Sequence, residues 1–187
     1  MDKKMEIIAA VDRNWGIGYN NHLLFHSKKD MSCFRQHTMG NIVIMGRKTL
    51  ESFPGGAPLS GRTNIVLTRN GLAEQTKEIG SGNTSGDTGT RLLTAGSVEE
   101  AQKLAEDLPG KIYIIGGGEI YRQFLPLVST AYITQFEAER GADTFFPDLV
   151  ADPEWEQVSV SGESWEGELS FRFYRYERFP PNNSFKM

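Results

Sequence analysis

The run Ile112-Tyr-Ile-Ile-Gly-Gly-Gly-Glu-Ile-Tyr121 constrains the fold more than any other stretch. Its first half shows no polar alternation, so it predicts a short strand covered on both faces. Three consecutive glycines then lead into a helix. Bare backbone, unpaired N–H groups and the positive end of the helix dipole suit a phosphate there. A plain strand-to-helix turn needs only one glycine, so the triplet favours a ligand. Met5–Val11, Ile42–Met45 and Thr63–Thr68 read as further buried strands. Helix signals fall between them: Ser27 with Asp30 three residues on, Gly46-Arg47-Lys48-Thr49, and the capping-box pattern Ser97-Val98-Glu99-Glu100. Longer alternating runs follow at Ala131–Phe136, Glu154–Val160 and Leu169–Glu177. This order predicts an α/β fold: a single domain with a mostly parallel sheet, helices on both faces and an antiparallel C-terminal strand pair.

The 187 residues fit one domain, expected over 1–179, with a frayed tail at 180–187. Lys and Arg total 20 against 24 Asp and Glu, which argues against a nucleic-acid partner. Cys33 is the only cysteine, so neither an internal disulfide nor a cysteine-based zinc site can form. The first apolar run, Ile7–Val11, is too short for a signal-peptide core or a membrane span, so a cytoplasmic chain without a membrane partner is expected. Residues 12–24 read as loop, and residues 70–90, rich in Gly, Ser and Thr after Ile79, as a surface excursion.

Several short patterns could carry chemistry. Gly46-Arg47-Lys48-Thr49 fails the phosphate-loop spacing, yet two cations and a hydroxyl at a helix start suit an anion. Cations are normally placed at the opposite helix end, so these two want a reason. Gly16-Ile17-Gly18 lacks the third glycine of a dinucleotide fingerprint and fits a mobile active-site loop better. Asp30 falls at the third helical position and shares a face with Phe34 and Thr38 at i+4 and i+8. If that face is inward, burial raises its pKa. On these residues alone, a first-turn acid that complements the helix dipole is the simpler reading. His22, His26 and His37 lack the partners of a metal pattern, so no metal is expected. Trp155, Trp165, Phe171, Phe173, Tyr174 and Tyr176 read as strand packing.

Six stretches occur together in a family order: Ile7–Gly18, Asp30-Met-Ser-Cys-Phe34, Ile42–Pro54, Leu59–Thr68, Ile114–Tyr121 and Ala142–Pro147. In these the chain resembles dihydrofolate reductase over almost its whole length. The resemblance implies a twisted eight-stranded sheet, a cleft between two subdomains and a monomer. It implies NADPH-dependent reduction of 7,8-dihydrofolate to tetrahydrofolate, and 2,4-diaminopyrimidine or pteridine antifolates as inhibitors. Asp30 matches the only ionisable group of the pterin pocket. Ile8, Ala9, Met31, Phe34, Phe53, Leu59, Ile115 and Tyr121 would contact substrate, Thr134 would bridge to Asp30, and Arg62 would grip the glutamate α-carboxylate. Ala10 and Ile17 would bind the carboxamide of the cofactor. Lys48, Thr49, Gly117 and Gly118 would hold its pyrophosphate, Gly46, Leu67, Gly116, Glu119, Ile120 and Tyr121 would lie along it, and Arg47, Thr68 and Arg69 would bind its adenosine 2′-phosphate.

Three departures stand out. Leu23-Leu24-Phe25 replaces the family's Leu-Pro-Trp, which removes an indole N–H from the expected proton path. Lys28 stands where a proline is common, two residues before the acid, and the stretch Ser81–Thr90 is longer than a short member needs. Two alternatives are a related NADPH reductase of another heterocycle and a non-catalytic folate or antifolate binder. Asp30, Phe34 and Arg62 as a set argue against the former; Phe25 keeps the latter open.

Overall fold

The structure is a computed structural model, and it describes residues 3–69 and 89–179. The expected excursion at 70–90 falls almost wholly outside those residues, as does the tail at 180–187. Among the described residues four α-helices are present: α1 (Lys28–Thr38), α2 (Arg47–Ser52), α3 (Val98–Glu106) and α4 (Gly118–Phe124). The main sheet contains β1 (Met5–Val11), β4 (Ile42–Gly46), β5 (Thr63–Leu67), β6 (Arg91–Ala95), β7 (Ile112–Gly116), β8 (Thr130–Phe136), β10 (Trp155–Val160) and β12 (Leu169–Arg178). Their spatial order is β10-β12-β8-β1-β7-β4-β5-β6, and a short β11 (Ser164–Glu166) pairs with β12. All pairs from β8 to β6 are parallel, whereas β12 runs antiparallel to β8, β10 and β11. The expected eight-stranded, mostly parallel sheet is therefore present, with one small addition.

The central strands are covered on both faces, which explains their lack of alternation. Ile7, Ile42, Ile44, Ile112 and Ile114 enter one core with Ala101 and Ala105 of α3 and Phe124 of α4. Their neighbours Ile8, Val43, Met45 and Tyr113 enter a second core with Leu50 of α2 and Phe34 of α1. Burying each such aliphatic side chain contributes roughly 1.5–3 kcal/mol. A charge at fully buried Ile44 would leave an unpaired ion in that interior and unfold the sheet.

Local signals set the helix ends. Ser27 Oγ accepts from the Asp30 N–H at 3.1 Å, which makes Ser27 the N-cap of α1. Gly40 follows with φ +73°, a left-handed geometry that suits glycine after a helix. At α3, Ser97 accepts from the Glu100 N–H as a capping box requires. The return bond differs: Glu100 Oε2 accepts from Gly96 rather than from the N-cap itself.

Two sequence readings need correction. Residues 12–24 are not simply loop. β2 (Gly16–Tyr19) and β3 (His22–Leu23) form a small sheet with β9 (Thr144–Phe145). These strands are too short to show alternation: β2 and β3 form a local hairpin across Asn20-Asn21, and β9 joins β2 from far along the chain. Trp165 is the other correction: it is 55 % exposed rather than packed, because β11 lies at the margin of the sheet.

Candidate active site

Open α/β sheets bind ligands in a cleft at the carboxyl-terminal ends of their parallel strands. Alternation places Ile8 and Ala10 of β1, Ile115 of β7 and Thr134 of β8 on the face that α1 covers. The register sets Ala10 directly beside Thr134. Asp30 projects from the third position of α1 toward this wall, and its carboxyl is hydrogen-bonded to the Thr134 side chain. Burial pushes the Asp30 pKa above the ordinary carboxylate value; the Thr134 bond opposes that rise and the charge of Glu166 adds to it. The inward face is thus the one that the sequence left open. Tyr121 is buried beside it and donates to Ile8 O at 2.9 Å. Its phenol pKa is raised, first by burial and then by the Asp30 charge.

A line of different chemistries runs along α1. Asp30, Phe34 and Thr38 share one face, and Thr38 lies about 12 Å along the axis from Asp30 at 1.5 Å per residue. Thr38 Oγ1 accepts from Arg62 Nε at 3.0 Å, and Ser60 O accepts from Arg62 Nη1 at 2.9 Å. These bonds fix the guanidinium plane, with its Cζ 5.9 Å from the centre of the Phe34 ring. Phe34, Phe53, Leu59 and Ile115 are only partly buried against the second core, and Met31 is half exposed. The cleft therefore offers an acid at one end, an apolar aromatic wall between, and a guanidinium at the other end.

A second part of the cleft lies where α2 and α4 begin. Their N-caps, Gly46 and Gly117, make no side-chain cap hydrogen bond, so both helix starts keep unpaired N–H groups. A Cβ on Gly46 would lie 3.0 Å from Ile120 Cγ1 and 4.0 Å from Gly117 N. A Cβ on Gly117 would come within 3.4 Å of Thr49 Oγ1, and one on Gly118 within 2.8 Å of Thr144 Cγ2. The glycines thus bring two N-termini side by side as a cradle, and the peptide Gly116–Gly117 is cis. Lys48 and Arg47 lie exposed beside it, and Arg47 Nη1 bonds Glu51 Oε1 at 2.6 Å. Leu67 is partly buried and Thr68 donates its N–H to Ala95 O, at the last described turn before exposed Arg69. Glu119 is engaged by Gln123 and Arg122 of its own helix. This cradle, flanked by cations, fits the phosphates of a dinucleotide.

The segment over the cleft is tied down at several points. Asp12 Oδ1 accepts from Asn14 N and Gly16 N at 2.9 and 2.7 Å. Asp143 Oδ2 accepts from Asn20 N at 2.8 Å, and Asp143 N donates to Gly18 O. Asn21 Nδ2 donates to Lys48 O, which joins the segment to α2. Ile17, near its middle, is partly buried. Phe25 contributes packing only: its ring stacks 4.3 Å from that of Phe136, and the Arg140 guanidinium lies 5.2 Å from its centre.

Residues 4–178 match the family model described as Dihydrofolate reductase. The chain belongs to the dihydrofolate reductase family. It is 39 % identical over 159 residues to the dihydrofolate reductase of Haemophilus influenzae, covering 85 % of this chain and 86 % of the relative. It is 33 % identical over 178 residues to that of Staphylococcus haemolyticus, covering 94 % and 96 %. A dihydrofolate reductase from Enterococcus faecalis, solved in complex with NADP(H) and RAB-propyl, superposes with a TM-score of 0.74 at 27 % identity, over 95 % of this chain and 97 % of that one. As a dihydrofolate reductase, the chain is an NADPH-dependent oxidoreductase that reduces dihydrofolate to tetrahydrofolate.

Of the residues expected from sequence, the structure gathers Ile8, Asp30, Tyr121 and Thr134 at one end of the cleft. Met31, Phe34, Phe53, Leu59, Ile115 and Arg62 lie along it, and Gly46, Thr49 and Gly116–Gly118 at the cradle. Ala9 differs from its neighbours: it belongs to the opposite core, so no side-chain contact with substrate follows from its position. Sequence reading passed over Asp12 and Glu166. The Asp12-Arg-Asn14 spacing of a side-chain turn could have signalled the first; no local signal marks the second.

Proposed function

We propose that Asp30 binds the amidine edge of the pterin through a pair of hydrogen bonds and so fixes the ring in the cleft. The supporting observation is its placement: a partly buried carboxyl at the third position of α1, bonded to Thr134, with Arg62 two turns further along the same wall. An ionised carboxylate accepts two parallel N–H bonds, and burial strengthens them by removing competing water. Phe34, Phe53, Leu59, Met31 and Ile115 hold the flat ring system and its benzoyl neighbour. Arg62 binds the α-carboxylate of the glutamate tail with a planar fork, a task that a lysine point charge does less well. This set favours a pterin with an acidic tail over another heterocycle.

NADPH, when bound, supplies the hydride that reduces pterin C6. The starts of α2 and α4, with Lys48 and Thr49, hold its pyrophosphate, and Ala10 and Ile17 bind its carboxamide through backbone groups. Arg47, Thr68 and Arg69 hold the 2′-phosphate. N5 must gain a proton for C6 to accept hydride, and Phe25 has no polar atom to relay one. Water is the immediate donor in this scheme, and the negative charge of Asp30 favours the protonated ring without touching N5. The remaining contribution is positioning and exclusion of bulk water by the β2–β3 segment.

The same carboxylate suits the protonated 2,4-diamino edge of pyrimidine and pteridine antifolates. We infer a monomer acting in the cytoplasm; among the described residues no helix is long and apolar enough to cross a membrane. Loss of NADPH absorbance on adding dihydrofolate tests the whole scheme. Tight ligand binding without turnover would leave only a binding protein.

A further inference from the structure

We propose that Glu166, on β11, is a positioning residue for the reaction, because it clamps the first turn of α1 and so fixes where Asp30 stands. The proposal rests on the assignment of Asp30 as the pterin-binding acid. Glu166 Oε2 accepts from the Ser27 hydroxyl at 2.5 Å, and its Oε1 accepts from the Lys28 N–H at 2.9 Å. Ser27 is buried, and its oxygen also accepts from the Asp30 N–H at 3.1 Å. Two consecutive hydrogen bonds therefore lead from the Glu166 carboxylate to the Asp30 backbone. Lys29 Nζ adds a third tie by donating to Trp165 O at 2.9 Å.

Lys28 makes the clamp possible. A proline at position 28 would have no N–H to give, whereas Lys28 provides the one that Glu166 binds. Lys28 and Lys29 place two cations at the positive end of a helix dipole, and the Glu166 carboxylate offsets them there. Glu166 stays ionised readily, since the Ser27 and Lys28 bonds hold its carboxyl below the usual range.

β12 connects this clamp to the opposite side of the acid. Glu166 pairs with Leu169 at one end of β12, and Phe173 further along pairs with Thr134 of β8. One strand thus carries both supports of Asp30, the backbone tie through Ser27 and the side-chain bond from Thr134. The groups coupled to Asp30 are Cys33 on α1, Tyr121 from α4, Thr134 from β8 and Glu166 from β11. Glu166 is the nearby negative charge among them, and it makes ionisation of Asp30 harder.

The test uses the full chain with 13C-labelled aspartate carboxyls, the Asp30 signal being assigned by its loss in Asp30→Asn. Glu166→Gln keeps an acceptor and removes the charge. It should lower the Asp30 titration midpoint. Glu166→Ala removes both contacts and should raise KM for dihydrofolate about five-fold while KM for NADPH stays unchanged. Glu166→Asp should restore part of that loss. An unmoved Asp30 midpoint in Glu166→Gln overturns the proposal, and so do the two KM values rising together, which would mark a purely structural contact. Wild-type kcat/KM in Asp30→Asn would also overturn it, by removing the assignment on which it rests. That failure is distinguishable, because it lies in the Asp30 variant and leaves the Glu166 titration effect in place.

Discussion

The Asp30 carboxyl and the Thr134 side chain are hydrogen-bonded across the seam between α1 and β8. Burial drives the Asp30 pKa upward and this bond holds it back. Thr134→Val keeps the shape and removes the hydroxyl, so the Asp30 pKa should rise further. At neutral pH, binding of a 2,4-diaminopyrimidine should weaken about ten-fold, and part of the loss should return at higher pH. A fluorescence titration across pH measures this. Equal weakening at every pH would show that the bond does not tune ionisation.

The same raised pKa has a consequence for stability. A carboxyl whose pKa is higher folded than unfolded contributes stability at low pH, below its unfolded value, and loses it as pH rises through the folded value. Asp30→Asn, which removes the partly buried charge, should therefore melt above wild type at neutral pH and level with it in acid. For a chain of this size each kcal/mol shifts Tm by roughly 2–4 °C. A variant that melts lower at neutral pH would show the acid to be a net stabiliser.

Arg62 is held by Thr38 and Ser60 at the far end of the same wall. Arg62→Lys loses the planar fork, and KM for dihydrofolate should rise by about ten-fold or more with little change in kcat. A pterin substrate without the glutamate tail should not distinguish the variant from wild type. If both substrates suffer equally, Arg62 is acting on the fold rather than on the carboxylate.

Arg47 is engaged by Glu51 one helical turn later. Arg47→Ala should weaken NADPH far more than NADH, since only the former carries the 2′-phosphate. Glu51→Gln frees the guanidinium and should tighten NADPH by up to about two-fold, an exposed pair being worth well under 1 kcal/mol. Isothermal titration with both cofactors reads both effects. Equal weakening of the two cofactors in Arg47→Ala would remove the assignment.

Gly116 has φ +123°, and a Cβ there would lie 3.3 Å from the buried Tyr121 ring. Gly116→Ala should therefore strain the backbone and push on Tyr121, whose hydroxyl bonds Ile8 O. We expect at least a ten-fold loss of cofactor affinity, measured by fluorescence quenching, and normal affinity would show that the turn can relax.

Most of the sheet was legible in the sequence because its strands are buried on both faces and leave continuous apolar runs. Ser27, Gly40 and the 116–118 glycines marked helix ends and the cradle through local backbone chemistry. β2, β3 and β9 were not legible: two to four residues carry no period, and although β3 pairs with β2 across the short Asn20-Asn21 turn, the partner that completes the sheet, β9, is more than a hundred positions away. The inward face of Asp30 was also undecided, since helical spacing places residues on one face without saying which face is covered. Glu166 lay beyond reach for a related reason. Its partners, Ser27 and Lys28, are 139 and 138 residues away, and nothing around a glutamate in a short hairpin names them.

The most direct test is kcat/KM of Asp30→Asn for dihydrofolate as a function of pH. The account predicts a loss of about a hundred-fold or more at neutral pH, partly recovered in acid as solvent protonates the pterin. A wild-type rate at neutral pH would contradict it, because the pterin would then be held and activated without this carboxylate.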